Sequence, residues 1–290
     1  MFRLSVTFDT DAINQNNPHY DAGRPAFDYD RQLCELFRYL ADIGAKANAF
    51  VRIDQQLEKY FGYLHVFEKV IAALDKSGRP EVEIGWHPHI YEKTGEGYKI
   101  TADEGLIAEM LREIYSRVRE VGSMRCVRLG GAQGGNQLVK ALDQMGFKVD
   151  SSAIAGRSRS DAHCHYDWSR CGNAPYHPSL EDYQQEKALN YRILEVPITS
   201  VPLSISRDGA GKSVVVHPCF RPELFEKVIV RNKKSLEELG FCVLFFHPDE
   251  LMEGYSDNAL LSGFGNFRRN LEFFRHVMGE VEFVTLSELA

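Results

Sequence analysis

Along this chain, short apolar runs, often β-branched, alternate with longer segments whose apolar positions recur every three or four residues. The first pattern reads as buried strands and the second as amphipathic helices packed against them. Strands are expected at 3–8 (RLSVTF), 47–51 (ANAFV), 81–86 (EVEIGW), 124–128 (MRCVR), 147–152 (FKVDSS), 192–198 (RILEVPI), 213–216 (SVVV), 242–246 (CVLFF) and 282–285 (EFVT). Helices are expected over 29–43, 56–76, 103–121, 136–145, 222–239 and 259–278. Gly44, Gly146 and Gly240 each follow a predicted helix as C-cap glycines do, and Thr101 with Glu104 has the spacing of a capping box.

Strand–helix alternation of this kind predicts an α/β fold, a parallel sheet flanked by helices that is either open or closed into a barrel. No repeat, low-complexity segment or Pro/Gly/Ser linker interrupts the pattern, so one domain over residues 1–290 is expected. A long loop insertion around 153–190, rich in Ser, His, Tyr, Pro and Arg, is expected to be either a functional loop or a poorly ordered one.

Charge and composition narrow the classes. A net charge of −7 lacks the basic face that nucleic-acid binding needs, and the short basic runs RNKKS (231–235) and RSR (157–159) read as solvated surface. No stretch reaches the roughly 18 apolar residues of a membrane span. The N-terminal apolar run turns acidic too soon for a signal peptide. Six scattered cysteines with no CxxC pair point to reduced thiols, so a cytoplasmic protein is expected, with a homo-oligomer left open.

The chemistry gathers at the predicted strand ends, where α/β barrels carry their active sites. Asp9 and Asp11 follow the first strand, His87 and His89 the third, Arg128 the fourth, and His247 follows CVLFF. Residues i and i+2 of a strand share a face, so Asp9/Asp11 and His87/His89 can each present two ligands together. A carboxylate and two imidazoles suit Zn²⁺, Co²⁺ or Fe²⁺, and would acidify a bound water. Loop histidines satisfied by hydrogen bonds and N-capping aspartates fit the same spacing equally well.

The ordered series TFDTD (7–11), EIGWHPH (83–89), VRLGGAQGGN (127–136), LEVPIT (194–199) and FFHPDEL (245–251) resembles the polysaccharide deacetylase (NodB-homology, carbohydrate esterase family 4-like) superfamily. The resemblance runs from about residue 3 to the end of the chain, and VDSSA (149–153) with YDW…PYHPS (166–179) is similar to branches acting on cell-wall or lipopolysaccharide sugars. It implies a distorted (β/α) barrel of about seven parallel strands. It also implies a metal-dependent hydrolase of C–N amide bonds that removes an N-acetyl group from a sugar or glycan precursor. Residue by residue, Asp9 matches the catalytic base, Asp11 and His87 metal ligands, Arg128 the arginine beside the base, and His247 the general acid. The roles of Asp9 and Asp11 are interchangeable on this reading. His89 departs from the family pattern, which spaces its histidines four apart and here meets Tyr91; it is taken as the third ligand.

The implied cofactor is a divalent metal, zinc first, with Co, Fe, Mn or Ni also fitting. Trp86, Tyr166, Trp168 and Tyr176 are expected to bind the saccharide by stacking. Two other readings stay open: a hydrolase of small non-sugar amides, and a degenerate carbohydrate-binding member without activity. His163-Cys164-His165 with Cys171 and His177 fits no zinc spacing, and GAGKS (209–213) lacks the first glycine of a phosphate loop.

Overall fold

The computed structural model describes residues 1–10, 29–54, 81–94, 97–119, 124–161, 164–203, 212–252, 260–261 and 263–290. Asp11, His163 and the helix expected over 56–76 lie outside the described residues. In chain order the strands are β1 (Phe2–Asp9), β2 (Ala47–Val51), β3 (Val82–Trp86), β4 (Tyr91–Thr94), β5 (Gly97–Ile100), β6 (Cys126–Val127), β7 (Val149–Asp150), β8 (Ser158–Ser160), β9 (His165–Asp167), β10 (Leu194–Glu195), β11 (Ser200–Leu203), β12 (Lys212–Val215), β13 (Phe241–Phe246) and β14 (Val281–Phe283). The helices are α1 (Tyr29–Asp42), α2 (Glu104–Val118), α3 (Asn136–Met145), α4 (Pro222–Leu239) and α5 (Gly263–Met278).

The main sheet runs β10-β7-β6-β3-β2-β1-β13, with β14 also pairing β1. The registered pairs of β1 with β13, β3 with β6, β6 with β7 and β7 with β10 are all parallel, as strand–helix alternation requires. Three two-stranded sheets stand apart from it. Several strands are shorter than their apolar runs: β6, β7 and β10 each keep two residues. The residues just beyond them still make ladder hydrogen bonds and carry polar groups to the edge of the sheet.

Contacts gather the chain into two compact units. The first holds β1, α1, the start of β2, and β11 through β14 with α4 and α5. Both faces of β1 are buried, which is why its sequence does not alternate cleanly. Phe8 packs on Phe37 and Phe246, with ring centroids 6.2 and 5.5 Å apart. Leu33, Leu36, Phe37 and Leu40 form the buried stripe of α1 at the spacing one helix face requires. Thr7 on β1 donates its hydroxyl to the Leu244 carbonyl at 2.7 Å, so its burial leaves no orphaned polar group.

The second unit holds the end of β2, most of β3, and the chain from β4 through β10 with α2 and α3. Gly146 closes α3 in the left-handed conformation at φ 91°, as its sequence position predicts. The start of α2 differs from expectation. Asp103, not Thr101, caps it by accepting the Leu106 N–H at 3.1 Å. Glu104 instead reaches α3 and accepts the Gln137 N–H at 2.9 Å. That carboxylate supplies the negative charge that the α3 N-terminus, preceded by Gly135, lacks from its own cap.

The 153–190 segment, expected as a loop insertion, carries short elements of its own. It contains the β8–β9 hairpin and a buried cluster of Ala153, Tyr166, Trp168, Cys171 and Tyr176. At the base of β3, a Cβ on Gly85 would sit 2.7 Å from the Phe50 ring and 3.2 Å from the Cys126 carbonyl. Replacing Gly85 by alanine should therefore destabilise the fold by about 1–3 kcal/mol through overpacking. The check is the midpoint of urea unfolding, which should fall without a change of slope.

Candidate functional site

A parallel ladder continues one residue past the strand ends and lines up the polar groups there. The N–H of His87 bonds the Val51 carbonyl at 2.9 Å, Arg128 bonds Trp86 at 2.9 Å, Ser151 bonds Val127 at 2.9 Å and Val196 bonds Asp150 at 2.8 Å. This last rung of the second unit sets His87, Arg128 and Ser151 in a row at the carboxyl edge of the sheet. Pro88 has no N–H to extend the ladder, and its carbonyl instead takes the Gly130 N–H at 2.8 Å.

His87 is buried, and its Nδ1 lies 2.7 Å from the Arg128 carbonyl. A carbonyl only accepts, so Nδ1 carries the proton and Nε2 is left with its lone pair. That lone pair faces the Nε2 of half-buried His89 at 3.1 Å. The His89 ring stacks on Tyr91, whose hydroxyl lies 3.0 Å from Nδ1. A Cβ on Gly130 would fall 2.3 Å from the His89 ring, so only glycine leaves room for it.

These donors fit a divalent cation. Metal-ligating histidines donate their second ring N–H to a carbonyl, as His87 does. Two nitrogens bound at ~2.0–2.1 Å in a tetrahedral site lie about 3.3 Å apart, close to the separation here.

Two charged residues outside the strand-end series support this pair. Arg52 and Asp54 form a buried ion pair at 2.7 Å just beyond β2, and Asp54 also accepts the His89 N–H at 3.2 Å. Arg128 is buried, lies 4.2 Å over the Phe50 ring, and donates to the carbonyl and hydroxyl of Ser151 at 2.9 and 3.0 Å. Next to it, Asp150 and Glu195 are in register on β7 and β10 and withdrawn from water. Burial pushes the Asp150 carboxyl up to about 6, against hydrogen bonds from Ser152 that lower it. Burial and then the neighbouring Asp150 push Glu195 well above the usual carboxylate range.

In the first unit, the register of β1 on β13 ends at Phe8 opposite Phe246, which brings the next residues, Asp9 and His247, abreast. Asp9 is 3% exposed. His247 opens a short turn (Pro248–Leu251), and its backbone N–H donates to the Glu250 carboxylate at 2.7 Å. The same carboxylate lies 3.7 Å from His247 Nδ1 and 2.9 Å from His217 Nε2. Burial alone would raise Glu250, but His217 and His247 outweigh it and hold the carboxyl far below its ordinary value.

His217, Cys219 and Glu250 also place ligand atoms within 4.8 Å of one another. The hydrogen bonds favour a proton there over a cation. The Cys219 N–H donates to His217 Nδ1 at 3.2 Å, so the ring proton sits on Nε2 and points at Glu250. A metal on Nε2 would require both ring nitrogens to act as acceptors, the reverse of what ligating histidines do.

The expected saccharide-binding aromatics are placed as packing groups. Trp86 is fully buried, stacks on Phe147 at 5.8 Å and donates its indole N–H to Ile53. Trp168 is fully buried and donates to the Ala132 carbonyl at 2.8 Å. Tyr176 donates its hydroxyl to the Tyr183 carbonyl within the same cluster. Tyr166, 7% exposed, differs in that it lines a cavity. Asp11, the expected metal-binding aspartate, lies outside the described residues. His177 bonds the Ile193 carbonyl at 3.1 Å, a structural use.

No family model matches the chain, and no curated protein matches it. Among solved structures it resembles a candidate glycoside hydrolase/deacetylase from Parabacteroides distasonis, with a TM-score of 0.60 at 12% identity over 99% of this chain and 70% of that one. A 4-alpha-glucanotransferase from Thermococcus litoralis aligns at a TM-score of 0.45 and 14% identity, over 99% of this chain and 37% of the other. A candidate polysaccharide deacetylase of O-antigen biosynthesis from Bordetella bronchiseptica aligns at 0.41 and 14%, over 96% and 84%. The first likeness shows the fold: a distorted (β/α) barrel of the deacetylase type, built on seven parallel strands.

The buried acid pair makes a pH prediction. Its raised Asp150 value means the folded state holds a proton that the unfolded chain, near 3.8, releases earlier. The contribution is present below that value and is lost as pH rises to about 6 and beyond. Glu195→Gln should flatten the fall in stability over that window, measured by urea unfolding across pH. An unchanged slope would mean the pair does not hold a shared proton.

Proposed function

We propose that this protein is a metal-dependent amidohydrolase that removes an N-acetyl group from a sugar or glycan precursor. The observation that supports it most is the pair of Nε2 atoms of His87 and His89, 3.1 Å apart, with His87 oriented by the Arg128 carbonyl. The deacetylase-type fold adds to that reading.

A divalent cation, zinc first for this donor set, supplies Lewis-acid polarisation of a carbonyl and acidification of water when bound. His87 and His89 hold it in this reading, and Asp11 is the third donor the sequence offers. Asp9 takes the proton of the attacking water as general base, and His247 gives a proton to the amine nitrogen as the C–N bond breaks. The register that sets Asp9 and His247 abreast suits two groups that act on one acyl centre in opposite proton transfers. Glu250, anchored by the His217 N–H, holds His247 by its backbone. Arg128 fixes the strand-end row through Ser151 and places a positive charge beside the buried acids.

Acetate release from N-acetylglucosamine oligomers tests the proposal. His247→Ala should cut kcat by about 10²–10⁴-fold. Glu250→Ala should leave a weaker enzyme with kcat lower than that of the parent, because the His247 backbone loses the carboxylate that holds it. Gly130→Ala, which forces the His89 ring aside, should abolish most activity while the melting temperature changes little. Activity in Gly130→Ala equal to that of the parent would remove His89 from the site.

A further inference from the structure

Just beyond β6 the chain makes a bond that the sheet pattern alone does not provide. In the parallel register of β6 and β7, Ser151 donates its N–H to the Val127 carbonyl, so the next rung would give the Leu129 N–H to the Ser151 carbonyl. Arg128 Nε donates to that oxygen at 2.9 Å, and the Leu129 N–H goes to the Ser152 hydroxyl oxygen at 2.8 Å. An N–H only donates, so Ser152 Oγ accepts there and directs its own proton to Asp150 Oδ1, 2.5 Å away. The Ser152 N–H donates to the same carboxylate oxygen at 3.0 Å.

The Leu129 N–H and the Arg128 carbonyl belong to one peptide group. A trans peptide points these two bonds in opposite directions, so anchoring the N–H on Ser152 aims the carbonyl away from it. That carbonyl is the acceptor for His87 Nδ1 at 2.7 Å. The bonds therefore run in series from the Asp150 carboxylate through the Ser152 hydroxyl and the peptide to the His87 ring. His87, Arg128, Leu129, Asp150 and Ser152 are all buried, so water screens the series little. Asp150 is the charged member of the acid pair: bonds from Ser152 lower its carboxyl, while burial and Asp150 itself raise Glu195.

We propose that Ser152 is a positioning residue for His87, linking the Asp150 carboxylate to the imidazole through the peptide that joins Arg128 to Leu129. Hydrogen bonds in series polarise one another. A negative charge at the far end makes the Arg128 carbonyl a stronger acceptor, and the His87 ring then presents a more basic Nε2 towards His89. The use of that basicity in holding a cation rests on the metal-dependent reading; the effect on the His87 ring does not.

The test reads the metal-free full chain first. Long-range nitrogen–proton NMR of isotope-labelled histidines, at mildly alkaline pH, reports the His87 Nδ1–H. Ser152→Ala should move this signal upfield, the direction of a weaker hydrogen bond, and should weaken zinc by roughly 3- to 10-fold in competition with a chelator. Asp150→Asn keeps the side-chain shape and an acceptor for Ser152 but removes the charge, and should give a smaller upfield shift. Glu195→Gln leaves the Asp150 charge in place and should keep the parent signal. Circular dichroism checks the fold of each variant, and if Ser152→Ala does not fold, Asp150→Asn decides alone. A parent-like His87 signal in the folded variants at 152 and 150 overturns the proposal, as does an equal shift in Glu195→Gln. The upfield shift in a protein that binds no zinc would support the link and remove the metal-dependent reading.

Discussion

The bond from His87 Nδ1 to the Arg128 carbonyl, 2.7 Å long, is the constraint on which the proposed site depends. It fixes the tautomer of a buried imidazole and so decides which nitrogen is free to bind. It exists because the parallel ladder runs one residue beyond the strands, setting Arg128 on Trp86 just as His87 is set on Val51. Pro88 then ends the pairing, and Gly130 makes space for the His89 ring. A two-residue histidine spacing is thereby turned into two converging Nε2 atoms. The departure from a four-residue spacing is compatible with chelation because the two Nε2 atoms converge and the His89 backbone is held on Asp54.

The two histidine groups illustrate how hydrogen bonds assign chemistry to the same residue type. His87 donates from Nδ1 and keeps a lone pair on Nε2, which is the state of a ligand. His217 accepts at Nδ1 and carries its proton on Nε2, which is the state of a donor to Glu250. Proximity to acids and thiols alone would have ranked His217, with Cys219 and Glu250 nearby, as the metal site. The direction of one backbone N–H reverses that ranking.

Much of the fold was legible in the sequence because buried parallel strands leave continuous apolar runs and helices leave three-to-four periodicity. The ends of α3 and α4 follow from Gly146 and Gly240, whose positive φ values need glycine. The strand-end positions of His87, Arg128 and His247 were legible because each directly follows a strand-forming apolar run. Asp54 and Glu250 were missed because each acts on a histidine through its backbone N–H, which leaves no spacing signature. The Asp150–Glu195 pair depends on which strands are neighbours, and a sheet order is not written in either strand. Trp86 and Trp168 misled for the opposite reason: a large aromatic beside polar residues reads alike whether it stacks on a ligand or on Phe147. Glu104, read as half of its own helix's capping box, instead caps α3.

The central claim is that His87 and His89 together hold a divalent cation. Elemental analysis of the purified protein, with the His87→Ala and His89→Ala variants beside it, measures this without reference to any substrate. The account predicts close to one equivalent of divalent metal in the parent, restored by zinc after chelation, and a strong loss in both variants. A parent protein that carries no metal and takes up none from micromolar zinc, or variants that retain it fully, would contradict it.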